Sequence, residues 1–143
     1  MTDKIFNLQR FKDAQRNSYA AALSEIRNGK KRSHWMWYIF PQVKGLGMTS
    51  TSIYYSIESL EEAKAYLKDN YLGGNLVEIC QALLDLDSNN ASAIFGFPDD
   101  MKLRSSMTLF DSACEEKNNI YSRVIDKFYN GIKDDRTLDI LGI

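Results

Sequence analysis

Apolar positions recur at helical spacing along nearly the whole chain. Leu8, Phe11, Tyr19, Ala22, Leu23 and Ile26 fall on one face at about 100° per residue, which predicts a first helix over 8–27. Gly29 tolerates positive φ and is read as its stop. An aromatic-dense piece over 33–40 is closed by Pro41, and a loop, KGLGMTS, leads to a short segment over 53–57. Ser59 with Glu62 reads as a capping box that opens a helix through Lys68. Gly73 and Gly74 predict a break before a helix over 75–86, where Leu76, Ile79, Cys80, Leu83 and Leu86 share a face. The polar run DSNN is read as a loop, 91–95 as a short helical piece, and Pro98 as the first-turn residue of a helix reaching Glu115. A helix over 121–130 stopped by Gly131, and a last piece capped by Asp135 and running to Leu141, complete the pattern. Strand-like alternation is scarce. The predicted class is all-α, one domain over residues 1–143 built from roughly seven helical pieces.

The helix after Pro98 holds the clearest anomaly. With Asp99 at the origin of a helical wheel, Leu103, Met107, Phe110 and Cys114 cluster in one quadrant, and Leu109 and Ala113 extend the arc. Asp99, Lys102 and Ser106 project into that apolar arc, whereas Arg104, Thr108 and Asp111 point to the opposite, solvent side. Charges on a core-facing stripe are costly unless they are paired or line a cavity. An Asp99–Lys102 pair at i,i+3 would satisfy them locally. A polar cleft at the helix N-terminus would satisfy them and attract an anion. Gln15 is a similar misfit within the apolar stripe of the first helix.

The segment SHWMWYIFPQ gathers the single histidine, both tryptophans, a tyrosine and a phenylalanine. Packing explains aromatic density. Histidine, however, is the side-chain type suited to proton transfer near neutrality, which makes His34 a candidate acid–base group. Gln42 adds a directional donor and acceptor, and Tyr54 and Tyr55 follow in the next piece. Aromatic rings beside a few polar groups are what a planar-ring ligand needs.

Composition narrows the choices. Basic residues number 18 and acidic 19, which argues against a nucleic-acid polymer as partner. The local cluster Lys30, Lys31 and Arg32 is read as a solvated loop. Cys80 and Cys114 lie on apolar helix faces and are expected to be reduced and mostly buried. One histidine cannot build a multi-histidine metal site, and no phosphate loop, dinucleotide fingerprint or G-x-S-x-G elbow is present, so no metal and no cofactor are expected. The N-terminal MTDKIFNLQRFKDAQ lacks an apolar run of leader length, and no stretch approaches a membrane span, so a cytoplasmic location is expected.

The strings KKRSHWMWYIFPQVKGLG, EEAKAYL, IFGFPDDMKLRSSMTLF and FYNGIKDDRTLDIL, with the tyrosine of YYSI, resemble the family called domain of unknown function 1810. The likeness runs from about Phe11 to Leu141. It implies an all-helical fold without an assigned activity. Its characteristic positions fall on His34, Trp35, Trp37, Pro41, Gln42, Tyr55, Asp99, Lys102, Ser105, Ser106, Thr108 and Phe110. Some members carry the label calpastatin-like, but this chain has no inhibitory repeat. Many relatives have an arginine where this chain reads Asn75 in LGGNL. A fainter likeness, in the spacing of Met107 and Phe110 with the apolar positions downstream, is to the helical NADAR family, which is linked to ADP-ribose and N-glycosidic chemistry.

The expected function is binding of a small anionic, ring-containing molecule of the nucleotide or ADP-ribose kind, with hydrolysis at an N-glycosidic bond as the reaction. Lys102 would neutralise phosphate, Trp35 or Trp37 would stack on the ring, and Gln15 and Gln42 would orient it. Tyr55, Ser105 and Ser106 would add contacts, with His34 or Asp99 as the acid–base group. The competing class is a non-catalytic interaction module that presents SHWMWYIF as an exposed aromatic surface. A concave pocket would favour the first, a flat exposed patch the second.

Overall fold

The computed structural model describes residues 6–143. The first five residues, which head the segment read above for a leader, lie outside the described residues. Nine helices follow one another among the described residues: α1 (Gln9–Arg27), α2 (Met36–Ile39), α3 (Ser50–Tyr54), α4 (Leu60–Lys68), α5 (Asn70–Asp85), α6 (Ala91–Phe95), α7 (Asp99–Ala113), α8 (Ile120–Tyr129) and α9 (Asp135–Leu141). There is no strand among the described residues, only a parallel bridge between Val43 and Ile57. The class is all-α, as the pattern predicts. The count exceeds seven because several connecting pieces, among them α2 and α3, close a single helical turn each. No helix of the described residues is long and apolar enough to cross a membrane.

Local signals set most of the boundaries. Gly29 ends α1 at φ +75°. Asn90 and Asn119 accept from the backbone N–H groups of Ala93 and Ser122, capping α6 and α8. Asp134, rather than the neighbouring Asp135, caps α9 by accepting from Thr137 N. Ser59 caps α4 through Glu62 N. The reciprocal half of the capping box is shifted: Glu62 Oε1 accepts from Glu58 N, and Oε2 pairs with Arg10 at 2.9 Å.

Two boundaries depart most from the sequence expectation. The short segment read over 53–57 is helical three residues earlier, as α3 under a Thr49 cap, and Ile57 lies beyond it in the bridge to Val43. Gly73 and Gly74 do not break the chain but lie inside α5, which starts at Asn70 under an Asp69 cap. Gly73 is there because the first turn of α5 crosses the end of α4 closely. A Cβ at that position would sit 2.2 Å from the Leu67 carbonyl oxygen.

The core is built around α5 and α7. α7 touches α4, α6, α8 and α9, and α5 touches α1, α4 and α8. Six consecutive residues of α7, Ser105 to Phe110, are buried, the mark of a helix covered on all sides. This corrects the expectation that Thr108 and Asp111 face solvent; Arg104 stays partly exposed beside Tyr129. α9 and the turn before α8 cover that side, which the periodicity of α7 alone cannot reveal. Thr108 is fully buried and its Oγ1 accepts from Asp134 N at 2.9 Å. Asp111 accepts from Asn119 Nδ2 and pairs with Lys133 at 3.0 Å. Cys80 and Cys114 are both free thiols. Cys80 is buried, and burial pushes its thiol pKa up; Cys114, at the C-cap of α7, is only partly covered.

Candidate functional site

The polar groups of the aromatic segment and of the first turn of α7 meet through two carboxylates. The first is Glu25, near the end of α1. It accepts from Arg32 N at 2.7 Å, Ser33 N at 2.9 Å, Ser33 Oγ at 2.6 Å and Trp35 Nε1 at 3.0 Å. These bonds fold the chain after Gly29 back onto α1 and set Trp35 into the core against Phe40 and Phe95. Burial alone would raise the Glu25 pKa, but the hydrogen bonds from Ser33, Arg32 and Trp35 outweigh it and bring the carboxyl from 4.5 to about 2.

The second carboxylate is Asp99. Its Oδ2 pairs with Lys31 Nζ at 2.9 Å and its Oδ1 with Lys102 Nζ at 3.3 Å. Lys31 is fixed by its backbone N–H to Ile94 O at 2.7 Å and by its Nζ to Ser33 O at 2.6 Å. Its side chain is 9% exposed, against 26% for Lys102. Lys31 lies 5.1 Å from the centre of the Trp35 ring and Lys102 5.1 Å from that of Trp37, so each ammonium also has an aromatic face. Lys31 is therefore no member of a solvated loop. The sequence reading missed it because its partner is contributed by a helix 68 positions further on.

Lys102 lies on the wall of a cleft of about 350 Å³. Trp37, Gln42 and Ser105 line the same cleft, joined by Met101, Met48 and Arg136. The parallel bridge positions Gln42: its carbonyl accepts from Ile57 N at 2.8 Å, and Lys44 N returns a bond to Ile57 O. Ser52 and Thr49, whose hydroxyls bond to each other at 3.0 Å, close one rim. Arg136, on the exposed side of α9, adds a second cation. Nothing in its local sequence marks it, since a short helix with one arginine is commonplace.

The other candidate residues lie elsewhere. Gln15 is buried as a structural hub: it donates to Tyr38 O and Tyr66 Oη and accepts from Asn75 Nδ2. Asn75 thus belongs to that hub and not to the cleft. Trp35 is buried against Phe40 and Phe95 and leaves no face for a ligand. Tyr55 packs between Phe11, Tyr38 and Tyr54. Ser106 is fully buried with an unpartnered Oγ, turned into the core rather than the cleft. His34 is exposed and outside the cleft lining, and Asp99 stands behind Lys102 rather than on the wall. Among the described residues no cluster of three His, Cys, Asp or Glu side chains could hold a metal ion.

A small all-α protein with a cationic and aromatic cleft at the first turns of its central helix is thus defined. The chain belongs to the family described as protein of unknown function (DUF1810), which matches residues 5–141. It is similar to the solved structure of the conserved hypothetical protein Rv1873 from Mycobacterium tuberculosis, with a TM-score of 0.93 and 43% identity over 96% of this chain and 98% of that one. No curated protein matches the sequence.

Proposed function

We propose that the protein binds a small anionic molecule with a ring, of the nucleotide or ADP-ribose kind, in the cleft lined by Trp37, Gln42, Lys102 and Arg136. The observation that carries this reading is a charge imbalance. Two largely covered lysines share one carboxylate, and the shorter contact goes to Lys31. The cleft lining holds two cations, Lys102 and Arg136, against one carboxylate, Asp134, which is engaged as the cap of α9, so positive charge is left in surplus at the wall. A partly desolvated cation needs an anion, and the cleft leaves room for one beside Lys102. Arg136 adds a planar fork for phosphate or carboxylate. Trp37, Met48 and Met101 offer apolar surface to a ring, and Gln42 and Ser105 offer directional bonds.

The reading stops at binding. Hydrolysis of an N-glycosidic bond needs an acid–base group at the ligand, and the two residues expected to supply it, His34 and Asp99, do not line the cleft. The interaction-module alternative is not favoured either. Trp35, Met36, Ile39 and Phe40 are buried, so SHWMWYIF forms no flat exposed patch.

The test is a thermal-shift and calorimetric titration with AMP, ADP and ADP-ribose, against adenosine as the neutral control. A ligand at one hundred times its Kd should add roughly 2.7 kcal/mol of stability. Lys102→Ala should weaken binding at least tenfold, about 1.4 kcal/mol, with little cost to folding because Asp99 keeps Lys31. Equal affinity in the folded variant, or no stabilisation by any of the anions, would count against the reading.

A further inference from the structure

On the other side of Met101, a second hollow of about 430 Å³ opens between the start of α6, the face of α7 and the end of α8. Met101 lines both spaces, and each receives one cation from α7: Lys102 on one side, Arg104 on the other. Arg104 is only partly exposed, and its guanidinium carbon lies 5.7 Å from the centre of the Tyr129 ring. Its Nε is shielded from solvent and has no acceptor. Among the described residues, no carboxylate forms an ion pair with it.

The nearby acidic group is committed elsewhere. Asp100 also lines the hollow, but its Oδ2 accepts from Ser92 Oγ at 2.6 Å and its Oδ1 from Met101 N at 2.9 Å. Tyr129 Oη donates to the Asp100 carbonyl, which fixes the ring beneath the guanidinium. Asn90 spends its Oδ1 on capping α6, and its amide nitrogen remains as a donor at the opposite rim. A partly covered guanidinium beside an aromatic ring, lining a hollow and without an ion-pair partner, presents its donors in the planar fork that matches two oxygens of one group.

We propose that this hollow is an oxyanion subsite, in which Arg104 takes a carboxylate or phosphate group through paired N–H donors and Asn90 supplies a further bond. The subsite is separate from the Lys102 cleft and stands whether or not that cleft binds a nucleotide. It accounts for an arginine that the folded chain positions beside Tyr129 without an ion-pair partner among the described residues.

The test follows the Arg104 side chain itself. Arginine Nε–Hε resonances are recorded by nitrogen-15 NMR, the Arg104 signal being identified by its loss in Arg104→Lys. Inorganic phosphate and acetate are titrated separately at constant ionic strength held with sodium chloride, in the native protein and in Lys102→Ala. A saturable shift of the Arg104 signal in both proteins is expected. A response to phosphate alone assigns a phosphoryl ligand, to acetate alone a carboxylate, and to both a general oxyanion site. No saturable shift with either anion overturns the proposal. So does a shift that chloride reproduces, or one that disappears in Lys102→Ala, since the anion would then sit in the other cleft.

Discussion

Glu25 and Asp99 are two carboxylates that bind the same stretch of chain, yet they do opposite things. Glu25 takes four hydrogen bonds, three from neutral backbone or hydroxyl donors and one from an indole. Its charge is spread over dipoles that belong to the fold, and nothing is left over. Asp99 takes two ammonium groups, and one negative charge cannot neutralise both. The first hub is closed and holds structure. The second is open and leaves a cation at a cleft. The difference lies in whether the donors around a carboxylate carry charge of their own, and it separates a structural acid from one that stands behind a binding site.

That comparison can be broken most directly at Glu25. Glu25→Gln replaces the charged acceptor by a neutral amide, whose oxygen can keep the Arg32, Ser33 and Trp35 N–H bonds while its NH2 turns to the Ser33 hydroxyl. With the charge lost at a solvent-screened site, about 1 kcal/mol should be lost by chemical denaturation. The native protein should also carry a pH signature. The Glu25 pKa is lowered in the fold, so its contribution is fully present above about 4.5 and is lost as pH falls towards about 2. The variant should lose stability less steeply over that window, and equal acid slopes would remove Glu25 as the cause.

Asp99→Asn should have a comparable but conditional effect. It leaves Lys31 and Lys102 facing each other without a counter-charge, at roughly 1–2 kcal/mol. An added anion such as ADP-ribose should restore more stability to this variant than to Glu25→Gln at the same concentration. Equal recovery in both would erase the distinction between an open and a closed hub. Ser33→Ala sharpens the contrast at the low end. It removes one of four donors to Glu25 at an exposed position, so about 0.5–1 kcal/mol should be lost while ligand affinity stays unchanged. A change in affinity would mean that the two hubs are coupled through the Lys31–Ser33 bond.

Much of the fold is legible along the chain because helices announce themselves locally. The stripe of Phe11, Leu23 and Ile26 in α1, the Ser59 cap of α4 and the stop at Gly29 depend only on neighbours a few residues away, and the structure places them accordingly. So do Leu76, Ile79, Cys80 and Leu83, which are buried on one face of α5. The polar misfits on apolar stripes were also visible, but their meanings were not. Gln15 and Lys102 look alike on a helical wheel. One is enclosed by Tyr38, Tyr66 and Asn75, and the other opens on a cleft.

What the sequence determined by itself is therefore the helical class, the majority of the helix ends and the position of the aromatic segment, all functions of spacing within one or two turns. Tertiary structure decided the rest. Gly73 proved to be a crossing point rather than a break, because the Leu67 carbonyl that demands it comes from the preceding helix. Thr108 and Asp111 are covered because α9 and the turn before α8 fold over them. Lys31 became a buried cation because Asp99 meets it from 68 residues away, and Arg136 reaches the cleft only because α9 returns to α7. Periodicity reports which face of an element is apolar. It carries no information on which other element will cover that face, or on where the charges left between them will meet.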